Sequence, residues 1–360
     1  MRLGKYALSV AVLSISAVSF AAPFAKWFTH TMADGRTVRI WGEGDEYAAH
    51  FEDEAGRTLI YNPEIGNYEY SEEPDAETQR ETALARMRDK AKETGIAERW
   101  AALKERTANA TAPDAGGPLR APPSHTTDGT IVGVTLLVDF PLLDAGGNVT
   151  NTLAATAHPN VTADDLCELI NGDGFTKYGN ASSVREYYAE ATSGHVDYTN
   201  AVIGWIKAPH TRGYYDDART SNGTCGRRLI GDVLDALVAD PRYETEFRPA
   251  LEKATANSSG EILALNVLFA GEEASTWSYG LWAHQYVLTS TQYKKCYVTI
   301  GGKKCHFYSY QISPVTSSPT IHTFCHESGH MICDFPDLYA YSSGLGNGVG
   351  MWCIMSGRVA

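Results

Sequence analysis

Two runs, Ile131 to Phe140 and Ile262 to Ala270, are apolar at nearly every position. A strand with one wet face alternates apolar and polar residues, so a continuously apolar strand must be covered on both faces. These runs predict central strands of an α/β sheet with helices on each side. Ser183 to Ala191 and Arg228 to Ala239 read as helices lying between them in sequence. At 360 residues the chain is long enough for two domains.

The N-terminal third divides by composition. Met1 to Lys5 is short and basic, Tyr6 to Phe20 is apolar with small polar breaks, and Ser19-Phe20-Ala21 has the small-x-small form of a cleavage site. Residues 1–21 therefore read as a secretory signal peptide. The segment is too short and too weakly apolar for a good membrane span, and no other stretch approaches that length. Pro23 to about Ser71 is rich in Thr, Val, Ile and Tyr, with turn residues at Asp34-Gly35, Gly42-Glu43-Gly44-Asp45 and Gly66-Asn67. It predicts a small module of antiparallel strands. Glu72 to Ala108 is dense in Ala, Glu, Lys and Arg and predicts one or two exposed helices. Residues 111–129, with Gly116-Gly117-Pro118 and Ala121-Pro122-Pro123, read as a linker, which leaves 22–110 as one unit and 130–360 as another.

A formal net charge of −13 argues against nucleic acid and anionic lipid as partners. Seven cysteines occur, none before Cys167, and an exported chain makes disulfides the default. One arrangement pairs Cys296 with Cys305 across a Gly301-Gly302 hairpin, Cys333 with Cys353, and Cys167 with Cys225, leaving Cys325 odd. Spacing alone does not fix that connectivity.

His326-Glu327-Ser328-Gly329-His330 carries the chemistry. Residues four apart on a helix share a face, so two imidazoles can reach one metal, and the Glu beside the first can take a proton from water there. Pro319 suits the start of such a helix and Pro336 its stop. Beyond His330, Asp337 can be carried back to the metal by a returning chain, and Asp334, four residues past His330, is its rival. A plain amphipathic helix with two solvated histidines would not need an acid at the second position. Cys325 is a poor nucleophile for His326, because neighbours on a helix point about 100° apart. His322 is roughly 12 Å along the helix from His330 and is expected in packing or in support of a ligand.

In these residues the chain resembles the immune inhibitor A family of secreted zinc metallopeptidases. Gly133 to Phe140 is similar to that family's first catalytic strand, and Ser183-Val184-Arg185-Glu186-Tyr187-Tyr188 to its Ser-Val-Arg helix. Leu268 to Gly271, Trp282-Ala283-His284, His326 to Tyr339 and Gly348 to Gly357 resemble its later strand, Trp-x-His segment, zinc helix with Pro-Asp-Leu-Tyr run, and methionine turn. The resemblance covers about Thr130 to the end, and more loosely the N-terminal region as a propeptide. It implies a zincin-like domain with a mixed twisted sheet, active-site helix and methionine turn, preceded by a small β-rich and helical pro-region.

It also implies a secreted zinc endopeptidase, made as a zymogen, acting on proteins or peptides with Glu327 as general base. His326, His330 and Asp337 would hold zinc, with Asp334 supporting an imidazole. Met355 would pack beneath the metal, and Tyr339 either polarises the carbonyl or packs under the site. His284 reads as a structural hydrogen-bonding residue. The pro-region would act as intramolecular inhibitor without a thiolate, since residues 22–129 contain no Cys. In the family's commoner form a Gly follows the second His by three and the acid follows that Gly by three. Here Cys333 holds the Gly position and Asp337 lies one residue late, so the loop must differ locally. Calcium, expected in the family, stays open, because Thr255 to Gly260 lacks repeated Asp and Asp216-Asp217 is too little alone. The alternatives are an inactive zinc-binding surface module and a zinc hydrolase of other substrates. The sequence ends five residues after Met355, where further chain is expected.

Overall fold

The computed structural model describes residues 24–72, 76–108, 129–142, 161–273, 275–338 and 353–356. The signal segment, nearly all of the linker, Tyr339 and most of the Gly348 to Gly357 run lie outside the described residues.

The Thr- and Tyr-rich N-terminal stretch forms five strands: β1 (Phe24–Thr31), β2 (Thr37–Gly44), β3 (Ala49–Asp53), β4 (Thr58–Asn62) and β5 (Asn67–Tyr70). They pair in chain order as an antiparallel meander. Its apolar face gathers Phe24, Ile40, Phe51, Leu59, Tyr61 and Tyr68, and the same cluster takes in Trp282 and Ala283 from far along the chain. Helices α1 (Ala76–Glu93) and α2 (Ile96–Ala108) follow, broken at Gly95, whose φ of 73° a side chain would resist. They are not simply exposed, as the composition suggested: Ala83, Ala91, Thr94 and Ile96 are buried.

The second part is built on strand β6 (Gly129–Asp139), helices α3 (Ala163–Asn171) and α4 (Val184–Ala191), strand β7 (Val196–Lys207) and helix α5 (Asn222–Ala239). Ser183 caps α4, accepting from the Glu186 N–H while the Glu186 carboxylate accepts from the Ser183 N–H. Strands β8 (Glu261–Ile262), β9 (Leu265–Ala270), β10 (His284–Val287), β11 (Tyr297–Ile300), β12 (Lys303–Phe307) and β13 (Ser309–Val315) complete it, with the long helix α6 (Ile321–Cys333) last. The main sheet has the order β10-β13-β9-β6-β7, parallel except for the antiparallel edge strand β10. A mixed α/β architecture with both faces covered is what the two apolar runs required. Alternate residues of β6 serve opposite cores: Val134, Leu136 and Val138 meet α5 (Leu229, Val233, Leu237), whereas Leu137 meets α3, α4 and α6. The second run divides, since β8 joins a small sheet in the order β11-β12-β8 while β9 enters the main one.

No disulfide forms among the described residues. The bridges expected from the sequence are absent for local reasons in two cases. Cys305 stands opposite Val298, so Cys296 is two residues out of register with it. Cys167 lies on α3, on one face of the sheet, while Cys225 lies on α5, in the core of the other. Cys333 and Cys353, the third expected pair, are likewise not joined by a disulfide.

Candidate metal centre

Helix α6 lies across one face of the main sheet, and every residue from Thr323 to Ile332 is buried. The Tyr188 hydroxyl of α4 donates to the Cys325 carbonyl at 2.7 Å, tying the helix to its neighbour. Gly329 is a packing requirement: a Cβ there would stand 2.9 Å from the Met355 sulfur. Met355 is itself 2% exposed, directly against the helix.

The helix ends where the sequence departs from the family's spacing. Cys333 remains helical, and the left-handed turn falls one residue later, at Asp334 (φ 52°, ψ 30°). Asp tolerates that conformation better than most side chains. The late turn absorbs the extra residue before Asp337. The Asp334 and Phe335 N–H groups both return to the Gly329 carbonyl, and the Leu338 N–H donates to the Met355 carbonyl at 2.8 Å.

Three side-chain atoms converge as a result. His326 Nε2 and His330 Nε2 are 3.2 Å apart, and Asp337 Oδ1 lies 3.3 Å from each. On the far side of each ring, His326 Nδ1 lies 2.9 Å from the Ile354 carbonyl and His330 Nδ1 2.6 Å from the Phe335 carbonyl. A carbonyl only accepts, so each Nδ1 carries the proton and each Nε2 presents a lone pair. Asp337 Oδ1 is buried and has no hydrogen-bond partner. With both imidazoles neutral, their Nε2 lone pairs and Asp337 Oδ1 face one point, an arrangement that suits a cation. The separations also fit zinc: donors about 2.0 Å from the centre of a tetrahedron are about 3.3 Å apart.

The buried acids make this centre attractive to positive charge, whether carried by a proton or by a metal ion. Burial would lower the His326 pKa, but Asp337 and Glu327 outweigh it and push it up to about 9. Burial would raise the Asp337 carboxyl, yet the two imidazoles hold it well below the usual carboxylate range. Glu327, 3% exposed, offers an oxygen within 4.8 Å of donor atoms on His326 and His330, and burial pushes its pKa up against their attraction.

The structure brings His326, Glu327, His330 and Asp337 together and places Asp334 elsewhere. The Asp334 carboxylate accepts from Arg99 Nε and Nη2 of α2, both at 2.7 Å, and its carbonyl accepts from Trp100 Nε1 at 2.9 Å. It supports neither imidazole; two main-chain carbonyls do that, and a carbonyl leaves no mark in a sequence. His284 is structural as expected, with Nδ1 2.6 Å from the Trp282 carbonyl and Nε2 3.0 Å from the Tyr310 hydroxyl. His322 is half-buried on α6, and desolvation pushes its pKa down to about 4. Asp216 accepts from the Leu281 N–H and pairs with Arg212, while Asp217 accepts from Thr220 and the Arg219 N–H, so this acid pair is already engaged by protein groups.

The N-terminal part sits against the same centre. Lys90 Nζ of α1 pairs with Glu46 Oε1, in the loop after β2, at 2.6 Å, with side chains 13% and 14% exposed. The gap in front of His330 and Asp337 is walled by Tyr47, Met87, Lys90 and Trp100. Further bonds run from Tyr61 to the Ala218 carbonyl (2.6 Å) and from Trp277 to the Asp45 carbonyl (2.6 Å).

A mixed sheet with a buried His-Glu-x-x-His helix laid across it defines a class, the metallopeptidases. The immune inhibitor A peptidase M6 catalytic domain matches residues 124–359, and the chain belongs to that family. No curated protein matches it.

Proposed function

We propose that this chain is a secreted zinc endopeptidase made as a zymogen, with His326, His330 and Asp337 as metal ligands and Glu327 as general base. The observation that carries the reading is the convergence of two unprotonated Nε2 atoms and the partnerless Asp337 Oδ1. Asp337 is preferred to Asp334 because the Arg99 guanidinium holds both oxygens of Asp334. When bound, zinc would polarise the scissile carbonyl and sharpen water for attack.

The protein's own groups do the rest. The Ile354 and Phe335 carbonyls fix both rings in the ligating tautomer. The Glu327 carboxylate takes the proton of the attacking water and hands it to the leaving amine nitrogen. Burial raises its proton affinity, which suits a group that must first accept and then donate. Cys353 to Ser356 supply Met355 and the Ile354 carbonyl as a floor, in the manner of a methionine turn.

Residues 22–110 are read as the inhibitory pro-region and 130–360 as the catalytic unit. Lys90, Glu46 and Trp100 border the gap in front of two ligands, and Arg99 clasps the loop between them. That cover bars substrate without a cysteine.

Metal content measured on wild type, Asp337→Ala and Asp334→Ala tests the ligand set. One zinc per chain is expected in wild type and Asp334→Ala, and little in Asp337→Ala. Casein hydrolysis by wild type and Glu327→Ala, both zinc-loaded and cut in the linker, tests the mechanism. Equal rates would remove Glu327 from it, and a metal-free wild type that refuses zinc would end the reading.

A further inference from the structure

Asp337 Oδ1 is not alone in lacking a partner beside the gap. Gln285, 2% exposed on edge strand β10, leaves its Oε1 buried without a hydrogen bond. Its nitrogen end is fixed: Nε2 donates to the Tyr286 carbonyl at 3.2 Å and to Ser309 Oγ at 3.0 Å. A carbonyl cannot donate, so turning the amide over would set oxygen against oxygen. Lys90 and Ala91 of α1 and Thr94 just after it line the gap together with Gln285, His330 and Asp337.

The main chain of β10 points the same way. The Leu288 N–H donates to the Tyr308 carbonyl at 2.8 Å, and the register pairs Tyr286 with Tyr310 and Gln285 with Gln311. Antiparallel pairs alternate between bonded and unbonded, so the N–H and C=O of Gln285 and Val287 face away from β13. Strand β10 is the sheet's edge, so among the described residues no further strand of the sheet takes them up. An extended peptide laid there would find main-chain partners and one fixed side-chain acceptor next to the metal ligands.

We propose that Gln285 Oε1 accepts a main-chain N–H of the substrate near the scissile bond, making Gln285 a substrate-positioning residue. This rests on the peptidase reading above and on departure of the N-terminal helices. The amide is held before substrate arrives, so little ordering is lost on binding.

The full chain, activated by cleavage in its linker, is assayed on one peptide and on analogues in which each backbone N–H in turn becomes an ester oxygen. Wild type is expected to lose about three- to tenfold in kcat/KM at one position. Gln285→Leu and the near-isosteric Gln285→Met should show that loss on the parent peptide and no further loss with that ester, at unchanged zinc content. Variants as fast as wild type overturn the proposal. So does a variant that every ester harms as much as it harms wild type, since that marks a merely structural role. A zinc-loaded wild type that cuts no peptide would sink the peptidase reading and this inference together; an active wild type with insensitive variants sinks this inference alone.

Discussion

The β6-containing sheet buries both faces under helices of its own part, with α5 on one side and α3, α4 and α6 on the other. The β1–β5 sheet does not close its core alone. Its cluster is completed by Trp282 and Ala283, with Trp277 and Tyr279 packed beside them. A five-stranded meander of this size encloses little apolar volume unaided. Its order is therefore tied to the surface it covers, whereas the larger sheet contains what it needs. The proposed pro-region role of residues 22–110 requires this asymmetry, because a catalytic part must stand without the part that is removed.

The largest expected effect is at Trp282, edge-on to Phe24 with ring centroids 5.5 Å apart. Trp282→Ala should cost the N-terminal sheet about 3–5 kcal/mol. Hydrogen exchange should then show β1–β5 losing protection while β6 and β9 keep theirs; loss in all of them together would break the comparison.

Next comes Arg99, whose removal takes two 2.7 Å bonds from the Asp334 carboxylate, a side chain 5% exposed. Arg99→Ala should weaken the docking of α2 by about 2–3 kcal/mol and speed activation by a trace of protease. Activation at the wild-type rate would show that the clasp does not hold the cover.

A smaller loss, about 1–3 kcal/mol, is expected for Gly329→Ala, because a Cβ would press on the Met355 sulfur at 2.9 Å. It should fall on the catalytic part and its zinc affinity, leaving β1–β5 protected. A melting temperature and metal affinity equal to wild type would show that the floor yields freely.

The smallest effect is at Asp53, where burial is outweighed by bonds from Arg57 and Tyr70 and the pKa falls to about 2. A folded pKa below the unfolded one adds stability above the unfolded value, near 3.8, and loses it as pH falls through about 2. Asp53→Asn should therefore destabilise the N-terminal sheet at neutral pH, with the difference from wild type vanishing between about pH 4 and pH 2. A difference constant across that window would assign the effect to lost packing.

Much of this was legible from residue order. The helical stretch Ser183 to Ala191, the Gly301-Gly302 hairpin and the two apolar runs act over a few neighbouring residues, so their pattern predicts the elements. The spacing of His326 and His330 is likewise a property of one helix. The linear pattern misled where a partner is distant. Glu72 to Ala108 read as one or two exposed helices, yet Ala83, Ala91 and Ile96 are buried, because a surface remote in sequence packs on them. The cysteine spacing suggested bridges that strand register and the two faces of the sheet forbid.

The sequence by itself determined the two apolar runs and the helix with two imidazoles and an acid, because those follow from short-range periodicity and side-chain chemistry, and its motifs carried the resemblance to the family. Only the tertiary structure decided which carboxylate faces the imidazoles and which faces Arg99. A single residue, left-handed at Asp334, shifts the loop by one position, and guanidinium and imidazoles then draw different acids from opposite sides. That choice depends on groups 235 positions apart in the chain meeting at 2.7 Å, a distance no local pattern encodes.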